Sequence, residues 1–380
     1  MNKGKIKEKI KISEMRRNMQ YKLLTPGPLT TTDTVKQEMM VDHCTWDDDY
    51  KQVTQKIRSG LLELAGVSPE EYTTVLMQGS GTFGVEAAIT TLTGKDDHLL
   101  ILANGSYGER MADIARHAGI HYQMHQWPID QQPDAATVEQ ILKEHQEITH
   151  VSMVHSETTS GILNDVASIG AVVKNAGAVF IVDAMSSFAG VEIPVKEWGI
   201  DCIISSANKC IQGVPGFSYV ILRKDLLEQS EGNARSLSLD LYDQYKTMNV
   251  DGKWRFTSPT HVVLAFAKAM EELKEEGGIA ARHQRYYNNE VLLREKMSVL
   301  GFVPFLGQDV QGPIITTFYY PENCNFTFRE MYDYIKERGY VLYPGKTTKE
   351  ETFRVGNIGE IYPEDIEKLC SLLKEFLESR

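Results

Sequence analysis

Between residues 73 and 222 the chain repeats one pattern: an apolar run of five or six residues, then a longer stretch whose apolar positions follow helical spacing. The runs fall at 73–77, 98–103, 120–125, 150–155, 178–183, 202–207 and 217–222. Runs this short, bounded by turn-forming residues, read as strands. The intervening stretches at 108–117 and 135–146 carry no proline and suit helices that cross over between parallel strands. The pattern predicts an α/β fold on a seven-stranded, mostly parallel sheet covered on both faces.

Beyond about residue 260 the texture changes. Helical spacing over 261–276 and 280–300, interrupted at Gly277-Gly278, is followed by a strand at 314–320 and helices at 328–339 and 363–379. That order predicts a smaller C-terminal α+β unit. At 380 residues and 42% hydrophobic, the chain has enough apolar mass for two cores. We divide it into a basic N-terminal arm at 1–20, a large domain at 21–265 and a small domain at 266–380. The arm sets Lys3, Lys5, Lys7, Lys9, Lys11, Arg16 and Arg17 against Glu8 and Glu14, and lacks the apolar region of a secretory leader. A net charge of −12 argues against a nucleic-acid partner. No apolar run approaches the ~20 residues of a membrane span. Five cysteines without a close pair fit a reducing, cytoplasmic setting, and no metal site is expected.

Two strand ends carry the chemistry. The run at 178–183 ends on Asp183, and Lys209 follows the run at 202–207. A lysine amine for a Schiff base and a carboxylate to keep a ring nitrogen protonated are what pyridoxal 5'-phosphate chemistry requires. The alternative is that α/β strands commonly end on polar residues. The glycine-rich turn at 78–84, with Ser80, Gly81 and Thr82, opens a helix and offers free amides and hydroxyls to a phosphate, or is an ordinary tight turn. It lacks the lysine and spacing of a nucleotide loop. Tyr107 follows the second strand and either stacks on a flat heterocycle or packs its own loop. The run at 155–161, with Thr158, brings hydroxyls to the same rim. Thr257, in a hydroxyl cluster at 257–260, is placed to serve a phosphate in a neighbouring subunit. Arg354 lies in an apolar strand pattern, as a buried ion-pair partner or as a fork for an anionic substrate.

These residues together resemble the fold-type-I pyridoxal-phosphate enzymes of the class V aminotransferase group, from about residue 21 onward. The likeness rests on Thr25-Pro26-Gly27-Pro28-Leu29, on the segments 43–47, 77–83, 183–188, 205–216, 234–240 and 255–261, and on 353–359 around Arg354. It implies Lys209 as Schiff-base lysine and proton carrier, with Asp183 as pyridinium partner. It further implies Tyr107 and Met185 on the two ring faces and Thr158 near the ring hydroxyl. Ser80, Gly81 and Thr82 would hold the phosphate, joined by Thr257 of a second copy in a homodimer with shared sites. Arg354 would grip the substrate anion, with Gly27 lining its pocket. The implied activity passes the amino group of 2-aminoethylphosphonate to pyruvate, with other reactions of the group, such as alanine or serine:glyoxylate transamination, as the alternative. A carbon–sulfur lyase using Cys324, and a cofactor-sensing regulator, are weaker rivals: no neighbour lowers the pKa of that thiol, and the arm is too short for a helix-turn-helix. The basic arm departs from the group's ordinary N-terminus.

Overall fold

A computed structural model describes residues 21–322, 325–346 and 351–380. The arm at 1–20 and Cys324 lie outside the described residues. Seven strands form the principal sheet: β1 (Tyr72–Gln78), β2 (His98–Ala103), β3 (His121–Gln126), β4 (His150–Val154), β5 (Val179–Asp183), β6 (Cys202–Ser206) and β7 (Phe217–Arg223). Their spatial order is β1-β7-β6-β5-β4-β2-β3. The ladders β2–β3, β2–β4, β4–β5 and β5–β6 are parallel, whereas β7 runs antiparallel to both β1 and β6.

Alternation along β5 shows how the sheet divides its side chains. Phe180 and Val182 enter the core that holds Leu100, Met153, Ile203 and Phe266. Ile181 enters the opposite core, under α2 (Gly81–Leu92) and α3 (Ser106–His117), the two helices that follow α1 (Asp48–Leu64) in the chain. Asp183, two residues on, shares the face of Ile181 and ends the strand beside those helices. Both helices begin at the rim where the parallel strands end, the usual place for a ligand in such sheets.

The expected helix break at Gly277-Gly278 is sharper than a loop. Gly277, at φ +110°, ends the helix Thr260–Glu276 and also caps the start of Gly278–Val299. The first of these helices crosses the expected boundary at 265/266. Phe266, Ala269 and Leu273 all sit in the large-sheet core, where Phe266 meets the Phe217 ring edge-on at 5.0 Å.

A second sheet orders β8 (Val303–Pro304), β9 (Ile315–Tyr319), β11 (Thr352–Gly356) and β10 (Tyr343–Pro344), all antiparallel. Phe318, Phe353 and Val355 join Ile366, Leu369 and Phe376 of the last helix in a separate core. Leu24 is buried there as well. The strand Lys22–Leu23 pairs in parallel with Tyr340–Val341, and Lys22 Nζ meets Asp365 Oδ2 at 3.1 Å. The segment entering the site from the N-terminal side is therefore fastened to the C-terminal core.

Phe266 tests this packing. Phe266→Ala should cost about 3–5 kcal/mol, as for other large-to-small changes in a close-packed core. Urea unfolding followed by tryptophan fluorescence should show a lower midpoint at unchanged slope. A loss below about 0.5 kcal/mol, the size of a surface substitution, would contradict the packing described.

Candidate active site

Lys209 sits in the turn between β6 and β7. Burial pushes its amine down to about 8, and the Arg354 guanidinium pushes the same way, against the pull of Cys210 and Asp183. Its Nζ donates to the Pro26 carbonyl at 2.7 Å. The backbone around it is held firmly: Gln212 N–H returns to the Lys209 carbonyl at 2.7 Å, and the buried Arg282 donates to the Cys210 carbonyl at 2.6 Å. Gly27 explains how Pro26 comes so near. Its φ is +126°, and a Cβ there would stand 2.8 Å from Lys209 Nζ.

Asp183 is 4% exposed and accepts one bond, from the Met185 N–H at 2.8 Å. Burial raises its carboxyl to about 6; the Met185 bond, Lys209 and Arg110 counter this, while Glu157 adds to it. No cation among the described residues lies within ion-pair distance of it. A buried acid of this kind suits a protonated ring nitrogen presented from the cleft.

The cleft has a volume of about 160 Å³ and is lined by Ser80, Gly81, Thr82, Tyr107, Asp183, Met185 and Lys209, with Val85, Arg110, Ser206 and Asn208. Ser80 is the N-cap of α2, yet its hydroxyl makes no capping bond, and the first turn carries no acidic side chain. Free amides, a free hydroxyl and the dipole all favour an anion. Arg110 Nη1 donates to Thr82 Oγ1 at 3.2 Å and adds positive charge on that side. Any Cβ at Gly81 would collide with the Met185 thioether, so the wall is as thin as a chain can make it. A lysine amine, an uncompensated acid and an anion-binding helix end around one cleft fit pyridoxal 5'-phosphate.

Tyr107 is in the first turn of α3, not in the loop before it. Its N–H donates to Glu157 Oε2 at 3.1 Å, and its ring meets Arg110 at 4.8 Å and Lys346 at 4.3 Å. Arg354, on β11, stands behind the cleft. Its Nη1 donates to the Thr158 carbonyl at 2.7 Å and its Nε to the Pro344 carbonyl at 3.0 Å, while burial lowers its pKa. Among the described residues no carboxylate pairs with it. The Thr158 side chain is buried and, like Gly27 and Arg354, is not in the cleft wall. Thr257 is exposed and apart from this cleft.

Sequence reasoning missed three residues. Glu157 is fully buried, accepts from Thr159 N at 2.9 Å and Thr159 Oγ1 at 2.6 Å, and is pushed up by that burial. In the sequence it hides in a run read only for hydroxyls. Arg110 follows Tyr107 by three positions, a spacing that places both on one helical face. Lys346 has no local signature, because the hairpin between β10 and β11 brings it in.

The sequence profile of the family described as aminotransferase class-V matches residues 41–349. The chain is 56% identical over 357 residues, 94% of its length and 97% of the relative, to the 2-aminoethylphosphonate–pyruvate transaminase of Lysinibacillus sphaericus (strain C3-41). It is 53% identical over 350 residues, covering 92% and 96%, to the protein of the same name from Bacillus thuringiensis (strain Al Hakam). Among solved structures, pyridoxamine-pyruvate aminotransferase from Mesorhizobium loti superposes with a TM-score of 0.87 at 23% identity, covering 96% of this chain and 93% of that one. Alanine–glyoxylate aminotransferase from Nostoc sp. gives 0.86 at 23%, covering 94% and 95%. These two structures share the fold-type-I architecture seen here.

Two outcomes follow from the Lys209 environment. Capture of pyridoxal 5'-phosphate by ligand-free protein should rise with pH around about 8, where the amine loses its proton. Absorbance measured from acid to base would instead centre near ~10 if the amine behaved as a free lysine. Gly27→Ala should leave the circular dichroism intact yet displace the Lys209 side chain and weaken that capture. Unchanged affinity in the variant would mean that the close approach is not required.

Proposed function

The chain belongs to the class-V aminotransferases, and we propose that it passes the amino group of 2-aminoethylphosphonate to pyruvate, releasing phosphonoacetaldehyde and L-alanine. The observation that carries the substrate is the 56% identity, along 94% of the chain, with a relative of that name. Likeness to the alanine–glyoxylate enzyme, at 23%, is a likeness of fold. Pyridoxal 5'-phosphate supplies an aldehyde that carries the amino group between half-reactions and a protonated ring that accepts an electron pair.

The side chains divide the remaining work. Lys209 Nζ is buried, and that burial lowers its pKa to about 8, so it both releases and accepts a proton at working pH. We assign it the proton that leaves the substrate carbon. Asp183 holds the ring nitrogen protonated through a charge-assisted bond, a contact worth roughly 1.5–3 kcal/mol. Ser80, Gly81 and Thr82 bind the phosphate group. Arg354 offers a planar fork to one anion at a time, phosphonate in the first half-reaction and carboxylate in the second. Glu157 fixes Tyr107 through its N–H, and fixes the turn whose Thr158 carbonyl orients Arg354.

We further infer a homodimer. Trp46, Phe83, Leu237 and Phe256 are large apolar side chains left exposed, and Thr257 is next to one of them. A second copy would cover them and bring Thr257 to the partner's phosphate site. The assignment to the cytoplasm rests on the free cysteines at 44, 202, 210 and 370. Among the described residues no helix is long and apolar enough to cross a membrane.

Purified protein given 2-aminoethylphosphonate and pyruvate should form alanine and phosphonoacetaldehyde in equal amounts, and a panel of other donors should be slower. Lys209→Ala should remove both turnover and the absorbance that borohydride fixes to protein. Arg354→Lys should lower kcat/KM in both half-reactions by roughly tenfold to a hundredfold. If both half-reactions stay within about twofold of wild type, the anion binds elsewhere.

A further inference from the structure

Lys346 has no part in the chemistry described above, yet it stands among groups that serve it. Its ammonium lies 4.3 Å from the centre of the Tyr107 ring. The chain reaches it directly from β10, whose Pro344 carbonyl holds Arg354 Nε at 3.0 Å, and Gly345 N–H is tied back to the Thr352 carbonyl at 3.1 Å. Lys346 and Arg354 therefore sit on adjacent arms of one hairpin. Among the described residues no carboxylate is within ion-pair distance of Lys346.

The charges around it do not cancel locally. Burial lowers the lysine's pKa first, Arg110 and Arg354 push it further down, and Glu157 and Glu109 act against them. Glu157 already accepts from Tyr107 and Thr159, and burial itself favours its neutral form. Cations gathered around a half-buried lysine cost free energy until an anion arrives among them.

The two substrates differ in the anion they present. Pyruvate brings a carboxylate, with one charge and two oxygens that the Arg354 fork can meet together. A phosphonate has three oxygens and, like a phosphate ester, takes a second charge near neutral pH. Its third oxygen lies outside the plane of a bidentate guanidinium pair. A flexible ammonium is suited to that remaining position.

We propose that Lys346 is a specificity-determining residue that supplies the second positive charge for a dianionic phosphonate donor, and is dispensable for the carboxylate acceptor. The inference rests on the donor assigned above. It makes the anion site asymmetric between half-reactions: Arg354 serves both, and Lys346 serves one.

The test uses holoenzyme carrying Lys346→Met, which keeps the stem against Tyr107, and Lys346→Arg, which restores charge. In rapid-mixing measurements the methionine variant should lose roughly tenfold to a hundredfold in kcat/KM for 2-aminoethylphosphonate, while the pyruvate half-reaction stays within about threefold. The arginine variant should recover most of the loss. Equilibrium titration supplies a readout apart from turnover: methylphosphonate should bind the methionine variant more weakly than wild type, with acetate unchanged. Equal losses in both half-reactions, or no loss in either, would overturn the proposal. Wild-type enzyme inert toward 2-aminoethylphosphonate would refute the donor assignment instead, and the methylphosphonate and acetate titrations would still decide the role of Lys346.

Discussion

The contact between the Lys209 amine and the Pro26 carbonyl, 2.7 Å across Gly27, is the seam on which the rest of the site depends. One side of it belongs to the principal sheet. The other belongs to a segment that pairs with Tyr340–Val341 and buries Leu24 in the C-terminal core. Two separately packed bodies thus both contribute to the contact at this amine. The reach is short enough that only a residue without a side chain passes between them.

Around that seam the protein keeps several charged groups out of water without giving each its own counter-charge. Burial raises Asp183 and lowers Lys209, and Arg354 is lowered for the same reason. Isolated, such groups are costly. Their shifts run in the directions that leave an acid ready to meet a cationic ring and an amine ready to act as a base. A bound pyridoxal 5'-phosphate would complete an electrostatic arrangement that the polypeptide leaves open.

The sheet is legible in the sequence because its strands, the exposed edge strand β3 apart, are buried on both faces and bounded by turn residues. That Lys209 and Asp183 meet in one cleft is legible because Asp183 ends one such run and Lys209 follows another. Other features were not. The helix Thr260–Glu276 reads as the start of a new domain, since helical spacing does not reveal which core the apolar face will join; packing places Phe266 against Phe217. Tyr107 was read as a loop residue because Gly105, an extended N-cap without a capping side chain, gives no helix-start signal. Glu157 and Lys346 acquire their surroundings from chain segments distant in sequence, so no local pattern announces them.

The antiparallel setting of β7 has a consequence for how enzymes of this architecture diversify. Because β7 doubles back beside β6, Lys209 rides on a short connection anchored in the sheet at both ends. Arg354 and Lys346, which we assign to the substrate anion, ride on a different sheet, around the hairpin of β10 and β11. On that assignment, substitutions along the hairpin would re-aim recognition without moving the amine or its acid. The fold would then separate what is transformed from how it is transformed, and a change of substrate would fall on one hairpin while the reactive core stays as it is.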